Sequence, residues 1–273
     1  MTALELERVS RDFTTPDGRG YRALDDVSLS ITAGSFVAIV GPSGCGKSTL
    51  LNIAAGLLAP STGAVRVDGE ALTGINRRAT YMFQQDALLP WKTVRENVAL
   101  GLTLGGVASL EAQARAGAWL ARVGLEAFAA HYPSQLSGGM RKRVVMAQNW
   151  ILDRSILLMD EPFSALDVHT RQQMESELLA LWEGSGSSQT SRKTVVFVTH
   201  DLEEAIALAD EVVVLSAGPA GHIVARHSVT LDRPRDLMEL RTAPEFIDLY
   251  RAIWAVLRQE VVKSQQPVEQ RRG

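Results

Sequence analysis

Residues 36–49, FVAIVGPSGCGKST, decide the fold of this chain. The first five are all apolar, as is typical of a strand in the middle of a parallel sheet. The next eight, GPSGCGKS, match the pattern G-x-x-x-x-G-K-[ST], and a helix is expected to begin at Ser48 and Thr49. Strand, loop and helix in this order are the context that a phosphate-binding loop requires.

The glycines of this loop let successive backbone N–H groups point inward at phosphate oxygens, with help from the helix dipole. Lys47 is expected to reach the β- and γ-phosphates, and the Ser48 hydroxyl to bind Mg²⁺. We assign to the nucleotide Gly41, Pro42, Ser43, Gly44, Cys45, Gly46, Lys47, Ser48 and Thr49. Kinases, GTPases and motor ATPases share this loop, so it predicts nucleotide binding and no particular use of the nucleotide.

A second apolar run ends in two carboxylates. Residues 156–161 read ILLMDE and resemble a Walker B motif. Asp160 is placed to hold Mg²⁺, and Glu161 is a candidate to orient an attacking water or to accept its proton. The alternative is a solvated turn before Pro162. The distance of 113 residues from Lys47 and the apolar strand favour the functional interpretation.

Further strands and helices alternate along the chain, which predicts an α/β fold with a largely parallel sheet. Residues 195–198 and 212–215 are apolar runs like 36–40. Because ligands bind beyond the carboxyl ends of such strands, Gly41, Asp160 and His200 are expected at one edge of the sheet.

Helices are predicted between these strands. Asp201 can cap a helix, with Glu204 three residues on. A second helix carries a stripe formed by Met174, Leu178 and Trp182, and about 93–152 is expected to be a helical insertion.

Composition narrows the class of protein. The 273 residues include 28 Lys+Arg and 31 Asp+Glu, a net charge of −3, which gives no reason to expect a nucleic-acid partner. A single cysteine fits a reducing compartment. No apolar run approaches the ~18 residues of a membrane span. Glu5 and Glu7 lie where a secretion signal would need basic and then apolar residues. We expect a soluble, cytoplasmic protein.

Residues 136–140, LSGGM, are expected to open a helix with a second anion-binding nest. Alone this is a weak signal, because Ser-Gly-Gly also forms ordinary loops. In sequence order, however, GPSGCGKST, FQQ, LSGGM, ILLMDE, SALD and TH together resemble the ATPase subunit of ATP-binding cassette (ABC) transporters, over roughly residues 4–217. The combination is far more specific than any one motif.

The resemblance implies a fold and a set of bound molecules. The fold is a P-loop NTPase (RecA-like) core with an inserted α-helical subdomain and an N-terminal antiparallel β region. The molecules are ATP and Mg²⁺. The resemblance also implies a head-to-tail dimer of two copies, in which Ser137, Gly138 and Gly139 of one chain cover the γ-phosphate held by Lys47 of the other.

Individual roles follow from the same resemblance. Phe13 resembles the aromatic residue that stacks on adenine, with Tyr21 as the alternative. Gln84 resembles the glutamine that senses Mg²⁺ and the attacking water, and the adjacent Gln85 competes with it. Asp167 resembles an aspartate that communicates across the dimer. The expected catalytic residues are Glu161, His200, Gln84 and Lys47, His200 as the γ-phosphate switch, and the expected metal ligands are Ser48, Gln84 and Asp160.

The resemblance also suggests how the chain is divided. A single ABC ATPase domain is expected over about 4–250, with core segments 4–86 and 155–218 and a helical subdomain over 87–154. Residues 219–263 would form a C-terminal extension, and 264–273 a disordered tail. Residues 184–193, GSGSSQTSRK, resemble a linker. Residues 147–150, AQNW, depart from the usual Ala-Arg-Ala-Leu, which puts a local salt bridge in doubt.

Three segments, FQQDALLPW, DLEEAIALADEVVVLSAGP and LDRPRD, resemble those of the nitrate, sulfonate and taurine importer branch of the family. That implies a permease, a separate extracytoplasmic solute-binding protein, and a place at the cytoplasmic face of the inner membrane. Residues 87–91, ALLPW, would meet the permease, although Trp91 could equally be buried in the core. Importers of other small organic solutes, such as a pyrimidine precursor, and non-transport ABC ATPases are the alternatives. A kinase would have no use for LSGGM, and a pure binding module would be expected to lack Glu161.

Overall fold

The computed structural model describes residues 1–15, 18–184 and 192–265, and it contains two β-sheets. The larger has six strands in the order β10-β9-β3-β8-β7-β6. Its members are β3 (Phe36–Val40), β6 (Ala79–Met82), β7 (Ile156–Asp160), β8 (Thr194–Val198), β9 (Glu211–Leu215) and β10 (Ile223–Ser228). All neighbours are parallel except β10, which runs antiparallel to β9.

The strands expected from apolar runs are confirmed to within one residue at either end. Two edge strands were not anticipated. In β6, buried and half-buried residues alternate over only four positions, and β10 is largely exposed or half-buried. Edge strands bury less surface than central ones, so neither forms the long apolar run by which β3 or β8 can be recognised.

A smaller antiparallel sheet is formed by two strands before β3 in sequence and two strands after it. Its strands are β1 (Thr2–Thr14), β2 (Gly20–Thr32), β4 (Thr62–Val67) and β5 (Glu70–Ala71), in the order β2-β1-β4-β5. This confirms the expected antiparallel β region near the N-terminus. Apolar side chains of β1, β2 and β4 pack against one face of the larger sheet together with α1 (Lys47–Ala54).

Alternate residues of β3 contribute to two separate cores. Val37 and Ile39 face the smaller sheet, and Phe36, Ala38 and Val40 face a helical layer on the other side. All five are buried, which is the expected environment of a parallel strand covered on both faces. The phosphate loop that follows β3 is therefore held by a fully buried strand.

In the part of the chain that the structure describes, seven further α-helices pack beside the larger sheet or in the segment inserted between β6 and β7. They are α2 (Val94–Leu104), α3 (Ser109–Arg122), α4 (Gly138–Trp150), α5 (Val168–Glu183), α6 (Leu202–Leu208), α7 (Leu237–Leu240) and α8 (Pro244–Gln265). Helices α2, α3 and α4 form a core of their own, as expected for an insertion between β6 and β7. The predicted stripe of α5 is buried in the main core. Among the described residues, no helix combines the length and apolar character needed to cross a bilayer.

The C-terminal part of the chain packs on the main core. Phe246, Ile253 and Leu257 of α8 lie in the same apolar cluster as Phe36 and Phe197. Helix α8 continues to Gln265, so the first two residues of the expected disordered tail, 264 and 265, are helical; the rest of that tail, 266–273, lies outside the described residues. Of the linker-like segment 184–193, residues 185–191 also lie outside them.

Candidate nucleotide-binding and hydrolysis site

The phosphate loop joins the end of β3 to α1 through two glycines with positive φ. Gly44 has φ +76° and Gly46, the N-cap of α1, has φ +99°. A Cβ at Gly46 would lie 2.6 Å from Leu24 Cδ2 and 2.9 Å from the Ala23 carbonyl oxygen. Only glycine fits this position, because both the backbone conformation and the space exclude a side chain. The sequence pattern thus has a steric cause.

Lys47 points into the loop that it follows. Its Nζ donates to the carbonyl oxygens of Gly41 (2.8 Å) and Pro42 (3.1 Å), and the side chain is almost fully buried. Cys45 is also buried, which raises the pKa of its thiol. Its backbone N–H, expected to face phosphate, donates to Pro42 O at 3.3 Å. The loop therefore concentrates one ammonium group and the start of a helix at the end of β3, which suits a polyanion.

The end of β7 brings a carboxylate to the first turn of α1. Ser48 Oγ donates to Asp160 Oδ1 at 3.0 Å, and the Tyr81 hydroxyl donates to Asp160 Oδ2 at 3.3 Å. Burial raises the pKa of Asp160. Two of the three residues expected to bind Mg²⁺, Ser48 and Asp160, are thus in contact although they lie 112 positions apart in sequence. Tyr81 was not anticipated, because it belongs to the unrecognised strand β6.

This donor set fits a magnesium ion. Hydroxyl and carboxylate oxygens are its preferred protein ligands, and Mg²⁺ usually takes only one or two of them beside phosphate oxygens and water. Among the described residues, no group of three or more His, Cys, Asp or Glu side chains could hold a metal. A cation between Ser48 and Asp160 would need further oxygen ligands, which phosphate groups and water can supply.

The carboxylate of Glu161 lies among three polar side chains. His200 Nδ1 is 3.1 Å from Glu161 Oε2, and Gln84 Nε2 is 3.5 Å from the same oxygen and 3.4 Å from Ser164 Oγ. Glu161 has φ +43°, an uncommon backbone conformation for a non-glycine residue and one that recurs at functional sites. Of the two adjacent glutamines, Gln84 is the one placed beside Glu161. The hydrogen bonds of Gln84 run to Glu161 and Ser164, not to Ser48 or Asp160.

Ser164 belongs to the SALD segment, and the sequence predicts no role for it. Its Oγ donates to the Glu161 carbonyl oxygen at 3.0 Å and so fixes the turn on which the carboxylate is carried. Its position three residues after Glu161 was the available signal for this contact, because short side chains commonly bond to the backbone of a turn at that spacing.

His200 follows β8, and the residues on either side of it are tied down. Asp201 caps α6, as expected, by accepting from the backbone N–H groups of Glu203 and Glu204. The reciprocal bond of a capping box is replaced, since Glu204 Oε2 accepts from Thr199 Oγ1 at 2.6 Å. Glu204 is buried between the helix and the strand, and this burial raises its pKa to about 7.

The raised pKa of Glu204 makes a prediction for stability. The folded state holds the protonated form better, so the contribution of Glu204 is complete below about pH 4.5 and is lost as the pH rises through about 7. Relative to Glu204→Gln, the wild-type free energy of unfolding should therefore fall by about 2–3 kcal/mol between pH 5 and pH 8. Urea unfolding at a series of pH values measures this difference. Glu126→Gln, at an exposed site, should run parallel to the wild type, and the same parallel course for Glu204→Gln would contradict the assignment.

The LSGGM segment forms the N-terminus of α4. Ser137 is its N-cap and accepts from the Met140 backbone N–H at 3.3 Å. Asp167, on the neighbouring loop, caps α5 by accepting from the Thr170 N–H at 3.0 Å, and this bond lowers the pKa of Asp167. A cavity of about 340 Å³ between the two caps includes Ser137, Gly138, Gly139 and Asp167 in its lining, with no residue of this chain's own phosphate loop.

The two candidates for adenine stacking are cross-strand partners. Phe13 of β1 is paired with Tyr21 of β2, so both rings lie on one face of the hairpin. The Arg11 guanidinium lies 4.7 Å from the centre of the Phe13 ring. The Tyr21 hydroxyl donates to Gly44 O of the phosphate loop at 3.4 Å. The hairpin thus brings Tyr21 into contact with this loop and places Phe13 on the neighbouring strand beside Tyr21.

The segment from Gln84 to Trp91 is held by the helical layer. Lys142 Nζ of α4 donates to Gln84 O at 3.0 Å and lies 2.8 Å from Asp86 Oδ1. The buried Asn97 side chain bonds to both backbone groups of Leu89. Trp91 is 71 % exposed, which excludes the alternative that it is a core residue. Lys142 and Asn97 were not anticipated, because their roles appear only once the helices pack.

One departure from the expected motif now has a structural consequence. Gln148 of α4, in the segment AQNW, donates through Nε2 to the carbonyl oxygen of Asn97 at 3.2 Å. A neutral hydrogen bond between α4 and α2 therefore exists where a salt bridge was in doubt.

Comparison with known proteins identifies the family. The family model described as ABC transporter matches residues 24–164. This chain belongs to the ABC transporter family. Within that family it is an ATP-hydrolysing cassette, and the P-loop NTPase fold expected from the sequence is confirmed.

Two curated relatives align over almost the whole chain. The taurine import ATP-binding protein TauB of Rhizobium johnstonii is 44% identical over 258 residues, 93% of this chain and 96% of its own length. An uncharacterised ABC transporter ATP-binding protein of Methanocaldococcus jannaschii is 43% identical over 261 residues, 96% of this chain and 93% of its own.

A solved structure is also similar to this cassette. It is a dimeric post-hydrolysis state of an ATP-binding cassette bound to ADP and Pi. The match has a TM-score of 0.71 and 34% identity, and it covers 84% of this chain and all of the other.

Proposed function

We propose that this cassette hydrolyses ATP to energise a membrane importer of a small anion or zwitterion such as nitrate, a sulfonate or taurine. The observation that carries the proposal is the meeting of the phosphate loop, Asp160, Glu161 and His200 at one edge of the sheet. The name of the relative from Rhizobium johnstonii supports the solute class.

ATP would bind with its phosphates on residues 41–49. Lys47 would then exchange its bonds to the loop carbonyls for phosphate oxygens, and Phe13 or Tyr21 would stack on the adenine. Ser48 and Asp160 would hold Mg²⁺, and Gln84 would be its third protein ligand. Bound there, the ion supplies charge neutralisation for the β- and γ-phosphate oxygens.

Hydrolysis requires an oriented water molecule. The Glu161 carboxylate is close to the phosphate-binding end of the sheet and accepts hydrogen bonds, so it can orient this water and take its proton. His200, on the neighbouring strand end, can bond to the γ-phosphate while contacting Glu161. Gln84 adds an amide beside the same carboxylate.

The second nest, at Ser137, Gly138 and Gly139, needs another chain. Its cavity is not lined by this chain's phosphate loop, so a second copy in head-to-tail orientation would bring the two together. Asp167 lies in that cavity and would face the partner. The dimeric state of the structural relative supports this arrangement. Each ATP would then join two chains, and loss of phosphate would release them.

The permease is expected to dock on residues 87–91. A protruding tryptophan on a loop held by buried polar contacts is a suitable anchor. We expect Trp91→Ala to abolish co-purification with the permease subunits of the importer and to leave the ATPase rate of the isolated chain within about twofold of wild type. Trp254→Ala, a second exposed tryptophan on α8, is the matched control. If Trp91→Ala still co-purifies with the permease, this docking site is wrong.

Transport itself is tested by uptake. Cells lacking this gene should lose ATP-dependent uptake of one labelled solute among taurine, an alkanesulfonate, nitrate and a pyrimidine precursor, and Glu161→Gln should fail to restore it. An extracytoplasmic binding protein would select the solute, and the cassette would lie at the cytoplasmic face of the inner membrane. Uptake of all four solutes at the wild-type rate would favour another solute or a non-transport ATPase.

A further inference from the structure

Six charged side chains meet where α5 and α6 begin and where α7 gives way to α8. They are Arg171, Glu175, Asp201, Glu203, Glu204 and Arg241. All except Glu204 line a cavity of about 280 Å³. Four carboxylates therefore share two guanidinium groups, and the position of each arginine is determined by the acids that compete for it.

Arg171 connects two loops of the proposed site. It donates to Leu166 O at 3.1 Å, next to Asp167, and to Asp201 Oδ2 at 3.4 Å. Its Nε lies 3.7 Å from Glu204 Oε1. The arginine thus holds the loop after β7 against the loop after β8.

His200 sits between residues fixed by these contacts. Thr199 Oγ1 donates to Glu204 and accepts from the Asp201 backbone N–H at 3.0 Å. Thr199 and Asp201, the residues on either side of His200, are therefore bound to one another. Arg171 contacts Asp201 directly and lies close to Glu204, to which Thr199 donates. A shift of Arg171 would move the turn that places the His200 ring 3.1 Å from Glu161.

Arg241 belongs to the C-terminal part of the chain and satisfies the remaining acids. Its Nη2 donates to Glu175 Oε2 at 2.6 Å, and its Nε lies 3.6 Å from Glu203 Oε2. Glu175 is completely buried, and its other oxygen, Oε1, has no hydrogen-bond partner among the described residues. A buried carboxylate that loses its only partner is strongly destabilised. Arg171 lines the same cavity and also attracts the Glu175 carboxylate, so it is the other arginine of the cluster that could pair with Glu175.

We propose that Arg241 is a positioning residue for His200. By neutralising Glu175, it leaves Arg171 free to bind Asp201 and Glu204 and so keeps the histidine turn in place. The C-terminal segment thereby influences hydrolysis without contacting nucleotide. This inference rests on the proposed function, because it assigns a role relative to the same site.

The test compares ATP hydrolysis by the purified full-length chain and its variants. Arg241→Gln should lower kcat about tenfold, while KM for ATP stays within about twofold because the phosphate loop lies outside the cluster. Glu175→Gln added to Arg241→Gln removes the buried charge and should restore kcat to within about threefold of wild type. Arg241→Lys keeps the positive charge, so its kcat should lie between that of Arg241→Gln and that of the double variant. Arg251→Gln, at a 75 % exposed arginine of α8, is the matched control and should match the wild type.

Several results would overturn the proposal. They are an unchanged kcat in Arg241→Gln, a kcat and KM that worsen together, or a failure of Glu175→Gln to rescue. If Arg241→Gln does not fold, the double variant and Arg241→Lys carry the test, and a double variant that folds but hydrolyses ATP about tenfold more slowly than wild type overturns it. Wild-type turnover in Glu161→Gln would instead contradict the proposed function, whatever Arg241 does.

Discussion

Glu161→Gln is expected to reduce ATP turnover by a factor of about 10²–10⁴, the usual contribution of a general base. The amide keeps the size of the side chain and can still accept from His200, but it cannot take a proton from water. ATP binding should remain, because Lys47 and Ser48 are unchanged. The nucleotide should then stay between two chains, and the variant should elute as a dimer with Mg-ATP.

Phosphate release and size-exclusion chromatography with and without ATP measure these two effects. Glu245→Gln, an exposed glutamate on α8, is the matched control and should turn over ATP like the wild type. Phosphate release at the wild-type rate would refute the catalytic assignment. A variant that binds Mg-ATP, fails to hydrolyse it and stays monomeric would contradict the dimer.

Ser137→Arg is expected to lower hydrolysis by about two orders of magnitude, as loss of a phosphate-stabilising group at an active site usually does. The larger side chain would fill the cavity beside Gly138 and Gly139 and exclude the partner's phosphates. The α4 cap is also lost, at about 1 kcal/mol, which the chain should tolerate. ATP binding to the phosphate loop of the same chain should be unaffected.

The most decisive test is a double variant that combines Ser137→Arg with Glu161→Gln. Alone, Glu161→Gln should dimerise with ATP, whereas Glu161→Gln with Ser137→Arg should bind ATP and remain a monomer. Ser176→Arg on the exposed surface of α5 controls for the added charge and should leave the ATP-dependent dimer intact. Persistence of the dimer in the Ser137→Arg double variant would show that Ser137 does not face the nucleotide of a second chain.

The central part of the site could be predicted from the sequence because each of its segments has a recognisable local sequence pattern. The phosphate loop has positive φ at Gly44 and Gly46, a property of its own backbone that calls for glycine at both positions. Strands β3, β7 and β8 are buried on both faces, so they form apolar runs whose ends are recognisable. Since parallel strands end at one edge, the sequence alone predicts that Asp160, Glu161 and His200 lie together.

Contacts between distant elements could not be predicted in the same way. Tyr81 meets Asp160 only because the short strand β6 pairs with β7, and four alternating residues do not distinguish a strand from a turn. Lys142 and Asp86 likewise form an ion pair across 56 positions of sequence. Such pairs depend on how helices and strands pack, which no local pattern encodes.

The sequence by itself determined the family, the phosphate loop and the strand ends that carry the acids, because local backbone geometry and continuous burial leave periodic, contiguous marks. Only the tertiary structure decided that Gln84 rather than Gln85 lies beside Glu161, that Trp91 is exposed, and that Arg241 neutralises a buried glutamate near the histidine turn. The physical reason is that side-chain orientation and charge pairing are set by packing between elements, which brings together residues that the chain keeps far apart.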